Sequence, residues 1–240
     1  MKLCDKRILV VGGGSGIGFA VARAVLAEGA AVTLASTNPE RLKQAAERLA
    51  PVEFACLDIA DESAVEAFFA SSEEFDHIVT TAGDWGTARR AAVEDLDLAA
   101  AKSLFQVRFW GAVTLAKHGA KRIAPNGSLT LTGGMSAHRP QKGSVIATAM
   151  AGSVEHLVLG LAVELAPIRV NAVCPGAIRT EVWTQFPESQ QEKEYARIRQ
   201  QLLPRIGEPE EAAEAYLYLM RGGYTTGQII RVEGGSELAG

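Results

Sequence analysis

Apolar runs of strand length alternate with stretches of helical spacing along most of the chain. Residues 8–11, 31–35, 52–57, 77–80, 128–132, 170–174 and 228–232 read as strands, and residues 17–28, 39–50, 62–70, about 98–123, 145–165 and 210–220 as helices. Strands separated by helices predict a parallel sheet covered on both faces. The expectation is one doubly wound α/β domain over residues 1–240, with seven parallel strands and a polar, lid-like excursion at about 178–208. Its penultimate long helix, "VIATAMAGSVEHLVLGLAVEL", keeps a packing face of Val154, Leu157, Val158, Leu161 and Leu165. Its first ten residues carry no side chain that titrates near neutral pH.

Composition narrows the partners. The 240 residues are 48% hydrophobic and 22% charged with a formal net charge of -4, which gives no basic field for nucleic acid. Cys4, Cys56 and Cys174 form no CxxC pair, so core or inert thiols in a reducing compartment are expected, and no metal site. The apolar run after the basic start is too short for a secretory signal and stops at glycines. No segment reads as approaching the roughly 18 apolar residues of a membrane span, so a cytoplasmic location without membrane contact is the expectation.

The stretch "ILVVGGGSGIGFAVARAVLAEGA" carries the first chemistry. A buried strand, a glycine-rich turn and a helix follow one another, the order that lets backbone N–H groups and a helix N-terminus receive a pyrophosphate. Gly12, Gly14, Ser15, Gly16, Ile17 and Gly18 are the residues expected to hold it. An acidic residue at the end of the second strand would bind the ribose hydroxyls of NAD. Ser36, Thr37 and Asn38 stand there instead, with Arg41 a turn away, so NADP(H) is favoured over NAD(H). The alternative is that Ser36 to Pro39 simply caps the next helix.

The spacing of Gly12, Gly16, Ile17 and Gly18 resembles the TGxxxGIG loop of the classical short-chain dehydrogenases/reductases, although Val11 replaces the Thr. "CLDIADES" looks like the family segment whose Asp58 and Ile59 flank adenine. "TTAG" is similar to the family's NNAG, which assigns Thr81, Ala82 and Gly83 to the cofactor. "RVNAVCPGAIRT" resembles the stretch whose Pro175, Gly176, Ile178 and Thr180 border the nicotinamide, and "PRIGEPEEAA" and "TGQIIRVEGG" match the closing segments. The resemblance implies a single-domain Rossmann fold, a nicotinamide cofactor, carbonyl or alcohol chemistry, and a homotetramer or homodimer, with a hetero-oligomer equally compatible.

It also implies an Asn, Ser, Tyr and Lys tetrad, which the chain lacks. The family's LAxEL and GxIVNISS patterns both place the Ser at Gly134, and the first places Tyr at Ala147 and Lys at Ala151; VNxxG places Asn at Arg108. Loss of the acid removes about 10²- to 10⁴-fold in rate.

Arg108 is the one replacement singled out as catalytic. It can donate hydrogen bonds to an oxyanion or to the cofactor ribose but cannot readily give up a proton. His138 and Lys142 are loop candidates, and Ser136, Ser144, Thr148 and His156 read as capping, packing or association residues. Asp84 and Trp85, and Trp110, Trp183 and Phe186, are candidates to line a substrate pocket. The preferred expectation is a cofactor-binding sensor or noncatalytic subunit. The alternatives are an NADP(H)-dependent oxidoreductase with non-classical acid chemistry, drawing on Arg108, His138 or a proton from the substrate, and an interaction module without cofactor.

Overall fold

The structure is a computed structural model that describes residues 3–83, 90–181, 183 and 188–239. Seven strands form one parallel sheet in the order β3-β2-β1-β4-β5-β6-β7. They are β1 Arg7–Val11, β2 Ala31–Ser36, β3 Glu53–Cys56, β4 Phe75–Thr80, β5 Ile123–Thr132, β6 Arg169–Pro175 and β7 Ile229–Val232. The central strands are buried almost throughout, because helices cover both faces. The strand order reverses between β1 and β4, opening a crevice at their carboxyl ends.

Helices α1 (Gly16–Ala27), α2 (Pro39–Leu49) and α8 (Pro209–Arg221) cover one face through Val21, Val25, Leu42, Tyr216 and Leu219. On the other face lie α3 (Glu62–Ser71), α4 (Leu98–Phe105), α5 (Ala112–Gly119) and α6 (Val145–Glu164), anchored by Phe69, Leu104, Leu115, Val154 and Val158. Of the packing face expected for α6, Val154 and Val158 are buried, while Leu157, Leu161 and Leu165 are partly buried against the same core. The polar excursion contains α7 (Glu188–Ile198).

Two expectations change. The helix anticipated over 98–123 is interrupted by a π-helical turn, Gln106–Gly111, and the chain already enters β5 at Ile123. Apolar periodicity does not register one inserted residue in a turn, whereas the packing does: a Cβ at Gly111 would stand 2.7 Å from Ile59 Cγ1. Secondly, α6 is long and apolar enough by length and composition to cross a membrane, contrary to the count along the sequence. Here Met150, Ala151, Val154 and Val158 bury one side of it on the sheet.

One buried titratable side chain sits in the sheet itself. His77 on β4 places Nδ1 2.8 Å from Ser128 Oγ on β5, and burial, reinforced by the nearby Arg169 charge, pushes its pKa down to about 4. The unfolded chain therefore binds a proton that the fold resists. This contribution is intact above pH 6.5 and falls away on acidification, reaching about 3 kcal/mol by pH 4. Urea unfolding at pH 7 and pH 4 is expected to show this excess loss in the wild type and not in His77→Asn; equal losses in both would refute it.

Candidate active site

The crevice is built from the glycine turn after β1. Gly12 adopts φ +86°, and a Cβ there would lie 2.6 Å from Thr81 Oγ1 and 2.7 Å from the Ala82 amide nitrogen. A Cβ on Gly18 would press onto the Gly12 carbonyl oxygen and stand 2.5 Å from Thr81 Oγ1. Both positions thus require glycine because β1, α1 and the "TTAG" turn touch through backbone. Helix α1 starts at Gly16, and its cap residue Ser15 makes no side-chain cap bond. Its first amides have no intrahelical acceptor and carry the positive end of the helix dipole, the local arrangement that receives a pyrophosphate.

Thr180 closes the turn from the opposite side. A Cβ on Gly16, at φ +52°, would be 3.0 Å from Thr180 Cγ2 and 3.4 Å from Glu181 Oε2. An anion bound here requires the exposed Glu181 carboxylate to swing outward. A cleft of about 380 Å³ continues from Ser15, Gly16 and Thr180 to Arg23, Arg48 and Arg179. These arginines are already engaged: Arg23 pairs with Glu210, Arg179 lies 3.0 Å from Glu208, and Arg48 stacks 4.2 Å over the Phe19 ring.

At the end of β2, Asn38 Oδ1 accepts from the Arg41 amide at 2.9 Å, so the capping expectation is met. The cap does not take Arg41 away from the glycine turn, since a Cβ on Gly14 would be only 3.6 Å from Arg41 Cβ. The cap therefore places the root of a cationic side chain beside the glycine turn, with Ser36 and Thr37 as neutral neighbours. Asp58 is exposed and accepts from the Ala60 amide at 2.9 Å. Ile59 is buried against Gly111, and only its backbone remains for the adenine edge. Gly176 passes over β7, where a Cβ would stand 2.7 Å from Glu233 Cα.

Ile178 is held by the segment that follows it. Its side chain is buried against Gly207, its backbone bridges to Gly207, and its carbonyl accepts from Trp183 Nε1 at 2.6 Å. Its side chain is thus used for packing, which leaves its backbone as the part that can border a cofactor. Trp183 itself stacks on Tyr195 of α7, with ring centroids 5.6 Å apart. Trp110 is exposed and packs edge-on against Phe109. Asp84, Trp85 and Phe186 lie outside the described residues.

The four positions matched to the tetrad surround this crevice. A Cβ on Gly134 would be 3.9 Å from Ala151 Cβ, so the residues matched to Ser and Lys are neighbours. Ala147, one helical turn before Ala151, has its carbonyl held by Ser136 Oγ at 3.1 Å. None of these three carries a proton to give. Arg108 projects from the π-helical turn until its guanidinium abuts Gly83: a Cβ there would meet Nη2 at 2.5 Å and Nε at 2.9 Å. Arg108, the residue singled out on chemical grounds, thus lies against the "TTAG" turn.

The other candidates fall elsewhere. Lys142 is exposed, Ser144 precedes α6 without a side-chain cap bond, and His156 Nδ1 lies 3.1 Å from the Gly152 carbonyl on an exposed helix face. The Thr148 hydroxyl is buried without a hydrogen-bond partner among the described residues. His138 pairs with Glu155 at 2.7 Å, and Glu155 also accepts from the buried Cys174 thiol. Neither Glu155 nor Tyr216 had been singled out. The Tyr216 hydroxyl is 2.7 Å from Thr132 Oγ1, and burial pushes its pKa up. An acidic residue in an otherwise apolar helix, one turn after Ala151, was the available signal for Glu155.

The chain matches a family model described as "Enoyl-(Acyl carrier protein) reductase" over residues 12–237. It is 35% identical over 259 residues to the short-chain dehydrogenase/reductase fsr5 of Gibberella fujikuroi, spanning 99% of this chain and 97% of that protein. Among solved structures, it resembles a small-chain dehydrogenase in complex with NADPH, at TM-score 0.85 and 35% identity over 98% of this chain and all (100%) of the other. It also resembles the MalC reductase/Diels-Alderase of Malbranchea aurantiaca, at TM-score 0.89 and 33% identity, with 98% of this chain and 97% of that one covered.

Proposed function

The chain belongs to the short-chain dehydrogenase/reductase family, and on that premise we propose that it is an NADP(H)-dependent oxidoreductase in which the Arg108 guanidinium replaces the family's usual oxygen-binding groups. The observation that carries this reading is the placement of Arg108 against Gly83, at the mouth of a glycine cradle that a Cβ would fill. The bound cofactor would supply or accept the hydride. Gly12, Gly16, Gly18 and the first amides of α1 would hold its pyrophosphate, and Ser36, Thr37 and Arg41 the 2′-phosphate. The NADPH-bound relative supports that choice of nucleotide.

Arg108 would donate N–H groups to an oxygen that gains negative charge, a contribution of roughly 10²- to 10³-fold for one such donor. Guanidinium stays charged, so the proton that completes a carbonyl reduction comes from solvent or from the substrate. A noncatalytic, cofactor-sensing role is the second reading, favoured by Gly134, Ala147 and Ala151, which offer no acid. A cytoplasmic location accords with three free thiols. Self-association through α6 accords with its exposed Leu159 and Val163 and with the open surface at Gly152 and Gly160; sedimentation of the purified protein tests it.

Calorimetric titration with NADPH, NADP, NADH and NAD tests the cofactor, with the phosphorylated forms expected to bind at least tenfold tighter and Arg41→Ala to erase most of that preference. NADPH consumption is then followed against a panel of aldehydes, ketones and activated alkenes. Arg108→Gln is expected to lower turnover about 10²-fold. Turnover unaffected by Arg108→Gln would overturn the assigned role, and tight binding without turnover across the panel would favour the sensing role.

A further inference from the structure

Behind the vacated Ser position, three side chains of different chemistry converge from separate elements. His138 follows β5, Glu155 lies on α6 and Cys174 on β6. Glu155 Oε1 is 2.7 Å from His138 Nε2 and 3.2 Å from Cys174 Sγ, and one donor atom from each residue lies within 4.8 Å of the others. Gly133 makes room for the sulfur, since a Cβ there would stand 2.5 Å from it, and the Gly134 amide donates to the same sulfur. His138 and Glu155 have side chains 21% and 14% exposed, so solvent reaches the cluster, while Cys174 closes it from the buried side.

We propose that His138, Glu155 and Cys174 form a binding site for a divalent metal ion of the zinc class. A thiolate with an imidazole selects a borderline-soft ion over magnesium or calcium, and the carboxylate completes a three-residue set that leaves a fourth position open. The thiolate and carboxylate balance the two positive charges of the ion, which suits a half-buried position. On binding, the Cys174 S–H bond breaks, its proton goes to solvent and a sulfur–metal bond forms. The His138–Glu155 hydrogen bond is exchanged for two metal bonds, which draws the donors to about 2.0 to 2.3 Å from the ion.

His138 Nδ1 then carries the ring proton and needs an acceptor. Arg231, whose guanidinium now faces Nδ1 at 3.4 Å and is held at 2.7 Å by both Glu237 oxygens, can only donate, so it has to turn away and leave that proton to solvent. Sequence spacing offered no sign of this set, because the three ligands are brought together only by the β5–β6 pairing and the docking of α6.

The test is a Co²⁺ titration of chelator-treated, full-length protein, read in the near-ultraviolet and visible. A saturable thiolate-to-cobalt charge-transfer band is expected, reaching its plateau at a single ion per chain and displaced by Zn²⁺. Cys174→Ser should abolish the band and His138→Ala should weaken Co²⁺ binding at least tenfold, whereas Cys4→Ser and Cys56→Ser should leave both unchanged. Should Cys174→Ser fail to fold by circular dichroism, His138→Ala and Glu155→Gln carry the same comparison. No band in the wild type, or a band lost with Cys4 or Cys56 instead, overturns the site. The readout needs no nicotinamide cofactor, so its outcome is independent of the oxidoreductase reading.

Discussion

Rebuilding the tetrad as Arg108→Asn, Gly134→Ser, Ala147→Tyr and Ala151→Lys is expected to raise NADPH-dependent reduction of small ketones by about 10²- to 10⁴-fold over the wild type. The expectation rests on where these positions already lie. Gly134 and Ala151 approach within a methyl contact, 3.9 Å from a built Cβ, and Ala147 sits one turn earlier on the same helix. A Tyr at 147 would bring a phenolic proton to the face now lined by alanine. A Lys ammonium at 151 would favour the phenolate and so make that proton easier to transfer.

The four changes have to be made together. Ala151 is buried, and an ammonium placed there without hydrogen-bond partners costs stability. With Arg108 retained, the crevice would also hold two cations. The combined variant should bind NADPH and gain turnover, while Ala147→Tyr alone should gain far less because such groups act as a unit. A folded quadruple variant that binds NADPH and shows no gain would mean that the scaffold, and not only its side chains, has left the geometry carbonyl reduction needs.

The second large effect concerns two glycines a single residue apart. Gly18→Ala is expected to abolish measurable NADPH binding and to destabilise the protein by about 2 to 3 kcal/mol, the range of an overpacked core. Its methyl group would collide with the Gly12 carbonyl and with Thr81 Oγ1, and the first of these is backbone that cannot rotate away. Gly16→Ala meets the Thr180 and Glu181 side chains instead, at 3.0 to 3.4 Å, and these can turn. The left-handed φ of Gly16 adds a strain of roughly 1 kcal/mol.

Gly16→Ala should therefore fold with a small loss of stability and still lose NADPH affinity at least tenfold, since Thr180 and the first amides of α1 are displaced. Thermal unfolding and calorimetric titration on the same two variants separate the outcomes. Equal affinity for NADPH in Gly16→Ala and the wild type would remove the pyrophosphate from this turn.

Much of the molecule was legible along the chain because it depends on near neighbours. Alternating apolar runs placed all seven strands, since a buried parallel strand must be apolar over consecutive residues. Gly12 and Gly18 announced the turn because a Cβ at either would collide with backbone, and Gly16 because of its left-handed φ. Spacing along the chain also put Gly134, Ala147 and Ala151 at three positions matched to the family's tetrad, and Gly134 lies against Ala151 in the structure.

What periodicity could not supply was any feature that depends on which segments become neighbours in the β3-β2-β1-β4-β5-β6-β7 order. The π-helical turn that carries Arg108 to Gly83, the Thr180 side chain facing Gly16, and Ile178 packed on Gly207 all arise from contacts between residues far apart in sequence. The same holds for His138, Glu155 and Cys174, which look like a loop residue, a helix surface residue and a core thiol when taken singly. By itself the sequence determined the sheet and the glycine turn, because local sterics and burial dictate those. The tertiary structure alone decided which polar groups gather around Gly83 and Gly134, because packing across the sheet brings distant side chains to one place.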